Sequence, residues 1–371
     1  MNTINRISLP ITFDAHAHFR EDEMMKLVFP YTLRQCGGAG IMPNTKRKIT
    51  TTAIGREYLD MIGLLSKGFN FIPRLFCYLT DRTDPSDLVA GFREGVFYGV
   101  KFYPAGATTN SDQGVSSVSA VAHVLKVMEK EGIPLHIHGE RIQGKTGVKL
   151  DPFGETEEYF LLNEMDEILK IAPGLIIFLE HISTKIQAEF VVVANEKGFN
   201  VRATITPQHL GFNRGDLIDH GGARKLDTRK VCLPLLKAQS DVAGLWEYFI
   251  YNPGYFCMGS DTAPHDVSGK GAHDGSCNCG CFNAPALLEL YTTIFEKRKA
   301  LNLLPGLVSR GWEFQGLPVP PGEVVLVREE VKIPMYAEGF GHKVAVFQGG
   351  ETLPWRIEKP ANNIEIMTSV Y

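Results

Sequence analysis

Histidines, one lysine and one aspartate stand in this sequence where they could share metal ions. His16 and His18 lie in Asp14-Ala15-His16-Ala17-His18-Phe19-Arg20, and the two-residue spacing turns both imidazoles to one side of a strand. Lys101, His138, His181 and Asp261 each follow a short apolar run further along. Imidazole and carboxylate suit Zn²⁺ or a similar divalent ion, and two such ions close together can polarise a carbonyl and supply a nucleophile. A protonated lysine has no lone pair to offer. Burial near metal charge depresses its pKa, and the free amine can take up CO₂ as a carbamate whose two oxygens could bridge two metals.

These residues can meet only if the chain folds so that strand ends converge. Short apolar runs alternate with amphipathic stretches of roughly 12 to 18 residues, the rhythm of βα units. Strands are expected at 11–13, 40–42, 69–78, 96–102, 134–137, 175–179, 200–205 and 255–258, which predicts a (β/α)₈ TIM-type barrel. Lys101 then ends the fourth strand, His138 the fifth, His181 the sixth and Asp261 the eighth, all on the face where such barrels carry their active sites. Val115, Val118, Val121, Leu125 and Met128 form the apolar stripe of a helix stopped by Gly132 and Pro134. Thr184 caps another helix that carries Ile186, Phe190 and Val193 and ends at Gly198. Beyond about residue 300 the rhythm fades into a Pro- and Gly-containing stretch and short strand-like runs, read as a C-terminal extension of a single barrel domain spanning residues 1–371.

Taken singly, each of these residues has a plainer role, since a lone histidine near a strand end is more often packed or solvated than a ligand. The joint pattern, with three histidine-bearing strand ends and a matching Lys and Asp, outweighs that default. His136 points the same way as His138 but deeper and is read as packed or supporting, while His123, His209, His220, His273 and His342 are read as structural or surface. Cys277, Cys279 and Cys281 lack the C-x₂-C reach of a zinc knuckle and read as buried or loop thiols. Seven cysteines in 371 residues suit a reducing compartment. A net charge of −4 offers no field for nucleic acid. With no secretory h-region and no apolar run of about 18 residues, no membrane association is expected and a cytoplasmic location follows by default.

Several segments together resemble dihydroorotase of the shorter, bacterial and fungal type, within the amidohydrolase superfamily. They are His16 to Arg20, Met42-Pro43-Asn44, Lys101 to Asn110, His138-Gly139-Glu140, Glu180-His181, Thr204 to Leu210, Gly259 to His265 and Gly280 to Pro285, so the match runs over about residues 12–300. The resemblance implies a zinc-dependent enzyme of pyrimidine biosynthesis that interconverts N-carbamoyl-L-aspartate and L-dihydroorotate. It implies two Zn²⁺ per chain, one held by His16, His18 and Asp261 and the other by His138 and His181, bridged by N6-carboxylated Lys101 and a hydroxide. Asp261 is then also the catalytic proton acceptor and donor. Arg20, Asn44 and His265 would take the substrate carboxylate, Thr108 and Thr109 would belong to a mobile loop closing over the site, and Leu217 is a candidate backbone contact to the ring. Homodimerisation is a family expectation on which the sequence itself is silent. The pattern departs at Gly106, where an Asn is common, at 211–231, which is longer than usual, and at 266–270, which is less basic than in many relatives. The alternatives are another cyclic amidase (a hydantoinase, dihydropyrimidinase or allantoinase) and a non-catalytic barrel relative serving as a binding scaffold. Arg20 argues against the former and the complete ligand set against the latter.

Overall fold

The computed structural model describes residues 4–144, 146–218, 225–270 and 278–364. After an N-terminal strand β1 (Arg6–Pro10), the chain lays down β2 (Thr12–Ala17), β3 (Cys36–Ile41), β4 (Ile72–Leu75), β5 (Cys77–Tyr78), β6 (Val100–Phe102), β7 (Leu135–His138), β8 (Ile176–Glu180), β9 (Asn200–Ile205) and β10 (Phe256–Met258). Every pairing from β2 to β4 and from β5 to β10 is parallel. β4 and β5 are one stave broken at Phe76, whose N–H still reaches Ile41 O at 3.2 Å while Cys77 N–H turns to Gly99 O at 3.0 Å. The ring closes between β2 and the chain after β10, where Asp261 N–H donates to His16 O at 2.9 Å and His18 N–H to Thr262 O at 3.0 Å. Counting β4 and β5 together, β2 to β10 make the eight staves of the expected barrel.

The expected 69–78 strand is thus two pieces, and the expected 40–42 strand begins earlier, at Cys36. Glycines hide the apolar pattern there for a packing reason. A Cβ on Gly38 would lie 2.7 Å from Ile72 O and 2.8 Å from the Trp312 ring, and one on Gly40 would lie 2.4 Å from Ala15 O. Trp312 belongs to the helix Leu304–Phe314, meets Phe13 edge-on at 4.8 Å and donates its Nε1–H to Ile11 O at 2.8 Å, sealing the barrel floor.

The two helices anticipated from the sequence are present. Ala122–Glu131 follows a short 3₁₀ turn and stops at left-handed Gly132. Lys185–Glu196 starts with a Thr184–Gln187 capping box, a device whose N-cap is worth about 1 kcal/mol.

The C-terminal extension takes up strands from Glu323 onward: β11 (Glu323–Val327), β12 (Val331–Lys332), β13 (Tyr336–Gly339), β14 (His342–Ala345), β15 (Thr352–Leu353) and β16 (Arg356–Lys359). β11 pairs antiparallel with both β1 and β16, so the N-terminal strand joins the far end of the chain. A second apolar cluster, including Tyr31, Leu217, Phe282, Val344 and Phe347, fixes this extension to the barrel. No described helix is long and apolar enough to cross a membrane.

Candidate metal centre and substrate site

The barrel's carboxyl-end rim brings the six candidate ligands into two neighbouring groups. His16 and His18 leave β2 on the same side, and Asp261 arrives from beyond β10 across the closure bonds. His16 Nε2 lies 3.3 Å from His18 Nε2 and 3.4 Å from Asp261 Oδ1, and His18 Nε2 lies 3.3 Å from the same oxygen. Among the described residues this trio is the group able to hold a metal ion. Donors at about 2.0–2.1 Å from a tetrahedral zinc stand roughly 3.3 Å apart, so the spacing fits such an ion. Across the rim, His138 at the end of β7 and His181 just past β8 face each other with Nδ1 and Nε2 3.1 Å apart.

Lys101 in β6 is wholly buried, and its Nζ has no hydrogen-bond partner among the described residues. Burial lowers its pKa to about 8 despite the nearby carboxylates of Glu180 and Asp261. A buried amine left unpaired is costly unless something occupies the space beside it. A carbamate on this nitrogen, with a cation beside it, would meet that cost. Burial also lowers His18 and His138 to about 3 and His181 well below its ordinary value, so their imidazoles are neutral and free to donate lone pairs. Burial alone would raise Asp261, but hydrogen bonds from His16 and His18 hold it well below the usual carboxylate range.

Residues behind the ligands orient them, and of these the sequence singled out only the supporting role of His136. Glu180 accepts from His16 Nδ1 at 2.9 Å, from Thr204 Oγ1 at 2.7 Å and from His136 Nδ1 at 2.5 Å. That bond leaves His16 Nε2 as the metal-facing nitrogen. His136 is held between Phe76 and Phe178, with ring centroids 3.9 and 4.5 Å away, so it supports Glu180 from below. Asp14 accepts from Ser260 N at 2.8 Å and from Ser260 Oγ at 2.6 Å, tying β2 to the segment that carries Asp261. Behind His138, Glu140 Oε2 lies 3.1 Å from Nε2, and Lys237 Nζ stands 2.5 Å from Glu157 Oε1 and 3.8 Å from Glu140 Oε1. Arg20, His181 and Asp261 adopt left-handed φ values of 60°, 39° and 48°. Non-glycine residues persist in that region only where surrounding structure holds them, and such strain clusters at active sites.

At the mouth, Arg20 Nε donates to Pro264 O at 2.9 Å and its guanidinium lies 3.0 Å from His265 Nε2. Asn44 Nδ2 donates to Thr109 O at 3.0 Å, Asn110 Nδ2 to Asn44 O at 2.9 Å, and Tyr78 OH to Asn110 O at 3.1 Å, so the 105–114 loop is tied down over the rim. A cavity of about 390 Å³ lies here, lined by Arg20, Thr109, Asn110, Pro264, His265 and Asn278 among others. Thr108 closes a turn with Ser111 rather than lining this cavity. Leu217 packs in the second apolar cluster, and its carbonyl accepts from Asp227 N–H at 2.8 Å. Of the other histidines, His209 is buried with Nδ1 2.8 Å from Thr206 Oγ1 and Nε2 3.1 Å from Pro234 O; His342 stands 3.5 Å from Asp266, and His123 is exposed. Cys281 is buried and Cys279 half-buried. His220, His273 and Cys277 lie outside the described residues.

No family model matches the chain. Its sequence is 41% identical over 349 residues to the dihydroorotase of Klebsiella pneumoniae, covering 93% of this chain and 96% of that protein. The chain belongs to the dihydroorotase family. Its fold agrees with that of a Saccharomyces cerevisiae dihydroorotase in complex with 5-fluoroorotic acid, at a TM-score of 0.86 and 29% identity over 95% of this chain and 98% of that one. A Campylobacter jejuni dihydroorotase superposes at 0.83 with 27% identity, covering 96% and 99%. These dihydroorotases match along almost their whole length, so the relationship includes the extension after the barrel as well as the barrel itself.

Proposed function

We propose that this chain is a metal-dependent dihydroorotase that reversibly interconverts N-carbamoyl-L-aspartate and L-dihydroorotate in pyrimidine biosynthesis. The carrying observation is that His16, His18 and Asp261 meet beside His138, His181 and a buried Lys101 with no hydrogen-bond partner among the described residues, with Arg20 and His265 joined at the mouth. In this reading His16, His18 and Asp261 would hold one Zn²⁺, His138 and His181 a second, and Lys101 would serve both as its N6-carbamate. The two ions would supply the positive charge that polarises the ring amide carbonyl and acidifies the attacking water.

The chain's own side chains do the rest. Asp261 takes the proton of the attacking water and delivers it to the ring nitrogen as the C–N bond breaks; in ring closure the proton returns by the same carboxyl group. Arg20, Asn44 and His265 receive the carboxylate that stays outside the reacting amide, the guanidinium supplying a charge-assisted pair. Thr108 and Thr109 belong to the loop that shuts water out, with Thr109 already at the cavity wall, and Leu217 supplies a backbone contact to the ring. We read the chain as a single domain with its terminal strands attached, acting in the cytoplasm as a homodimer.

The test is turnover by the purified, zinc-loaded chain on dihydroorotate, dihydrouracil and allantoin side by side. Hydrolysis of dihydroorotate well above the other two is expected. A metal-loaded protein that leaves dihydroorotate untouched would refute the assignment.

A further inference from the structure

Two tyrosines stand side by side beneath the loop, and among the described residues only one has its hydroxyl satisfied. The rings of Tyr78 and Tyr103 are 5.1 Å apart, and both are buried. Tyr78 OH donates to Asn110 O at 3.1 Å and thereby holds the loop. Tyr103, the second residue after Lys101, has a hydroxyl with no hydrogen-bond partner among the described residues.

The surroundings of that hydroxyl are those of the reaction site. Lys101 Nζ lies 5.4 Å from the Tyr103 ring, the His138 ring is 6.3 Å away, and the phenol feels the charges of Asp261 and Arg20. Tyr103 is therefore close enough to feel both a proposed metal ligand and the guanidinium proposed to receive the carboxylate. A buried hydroxyl without a partner destabilises a fold, and phenylalanine would fill the same space without that cost. A bound substrate is a partner that would justify the hydroxyl.

We propose that Tyr103 is a catalytic residue whose O–H donates a hydrogen bond to the carbonyl oxygen of the substrate's reacting amide. The inference rests on the dihydroorotase reading. As that oxygen gains negative charge during attack, a donor already fixed in a dry site strengthens its hold without reorganising. The bond thus favours the transition state over the bound substrate, and its loss acts on kcat more than on KM.

The experiment is Tyr103→Phe in the zinc-loaded enzyme, with Tyr78→Phe as its comparison. For Tyr103→Phe we expect metal content as in the parent, a substrate-free Tm equal to or a few degrees above the parent's, and kcat lower by roughly 10²-fold with KM changed less than about threefold. Tyr78→Phe, which loses a satisfied bond to the loop, should instead lower Tm and raise KM. Parental kcat in Tyr103→Phe overturns the proposal, as does a rise in KM alone. A Tm drop together with lower kcat also overturns it, because the hydroxyl would then be serving the fold. Each of these outcomes leaves the parent's turnover of dihydroorotate standing, whereas absence of that turnover in the parent is what removes the underlying reading.

Discussion

On one side of the rim, His16, His18 and Asp261 already aim three donor atoms at one point, braced by Glu180 behind His16 and by the Asp14–Ser260 bonds across the barrel closure. On the other side, His138 and His181 face each other, but His181 Nδ1 and Lys101 Nζ have no partner among the described residues. The first half is assembled by the fold alone, with its hydrogen bonds closed. The second half carries buried groups with no partner among the described residues, which the proposed carbamate and cation would complete. In the proposed binuclear reading the His16 half fills first, and carbamate formation at Lys101 sets when the second half can form.

The comparison breaks most sharply at Lys101. Lys101→Ala should lower kcat/KM for dihydroorotate by about 10³-fold or more while the His16 side keeps its metal, as read by activity alongside metal analysis. Near-parental activity would remove the carbamate from the account. Glu180→Gln sharpens the contrast from the other direction. Losing the carboxylate behind His16 should weaken metal binding by roughly 10- to 100-fold, and selectively on the His16 side, as measured by competition with a chelator. Equal weakening of both halves would show that Glu180 serves the whole barrel instead.

The pH dependence follows from Lys101. Carbamate formation needs the free amine, and burial places the lysine at about 8, so the free fraction rises about tenfold per pH unit below that value and levels off above it. At fixed dissolved CO₂, reactivation of metal-free protein by zinc should therefore speed up about tenfold from pH 6 to 7 and flatten beyond about 8, while filling of the His16 half shows no CO₂ dependence. The smallest effect belongs far from both halves. Thr184→Ala removes a helix cap and should cost about 1 kcal/mol in denaturant unfolding without changing kcat.

That His16, His18, Lys101, His138, His181 and Asp261 gather at one rim was legible because strand ends can be read from apolar runs and because H-x-H places both imidazoles on one side. The Thr184 and Gly132 helix signals were legible for the same local reason. What escaped was non-local or masked by composition. β1 pairs with a strand near the other end of the chain, which no local pattern announces. The first part of β3, before residue 40, is hidden by glycines whose missing side chains let β2, β4 and Trp312 come close. Glu180 could be seen beside His181, yet its hold on both His16 and His136 depends on β2, β7 and β8 lying around one ring. Glu140, Glu157 and Lys237 lie far apart in sequence and prove to be one buried group behind His138. The left-handed backbone at Arg20, His181 and Asp261 is likewise invisible in residue types, because it follows from how the strand ends meet.

The most direct measurement is a zinc titration of metal-free, CO₂-depleted protein, first without and then with bicarbonate, followed by metal analysis and an intact-mass measurement. The account predicts about one tightly held zinc before bicarbonate, and about two afterwards with the mass of one CO₂ added to Lys101. Two tight zincs on an unmodified lysine, or none on the His16 side, would contradict it.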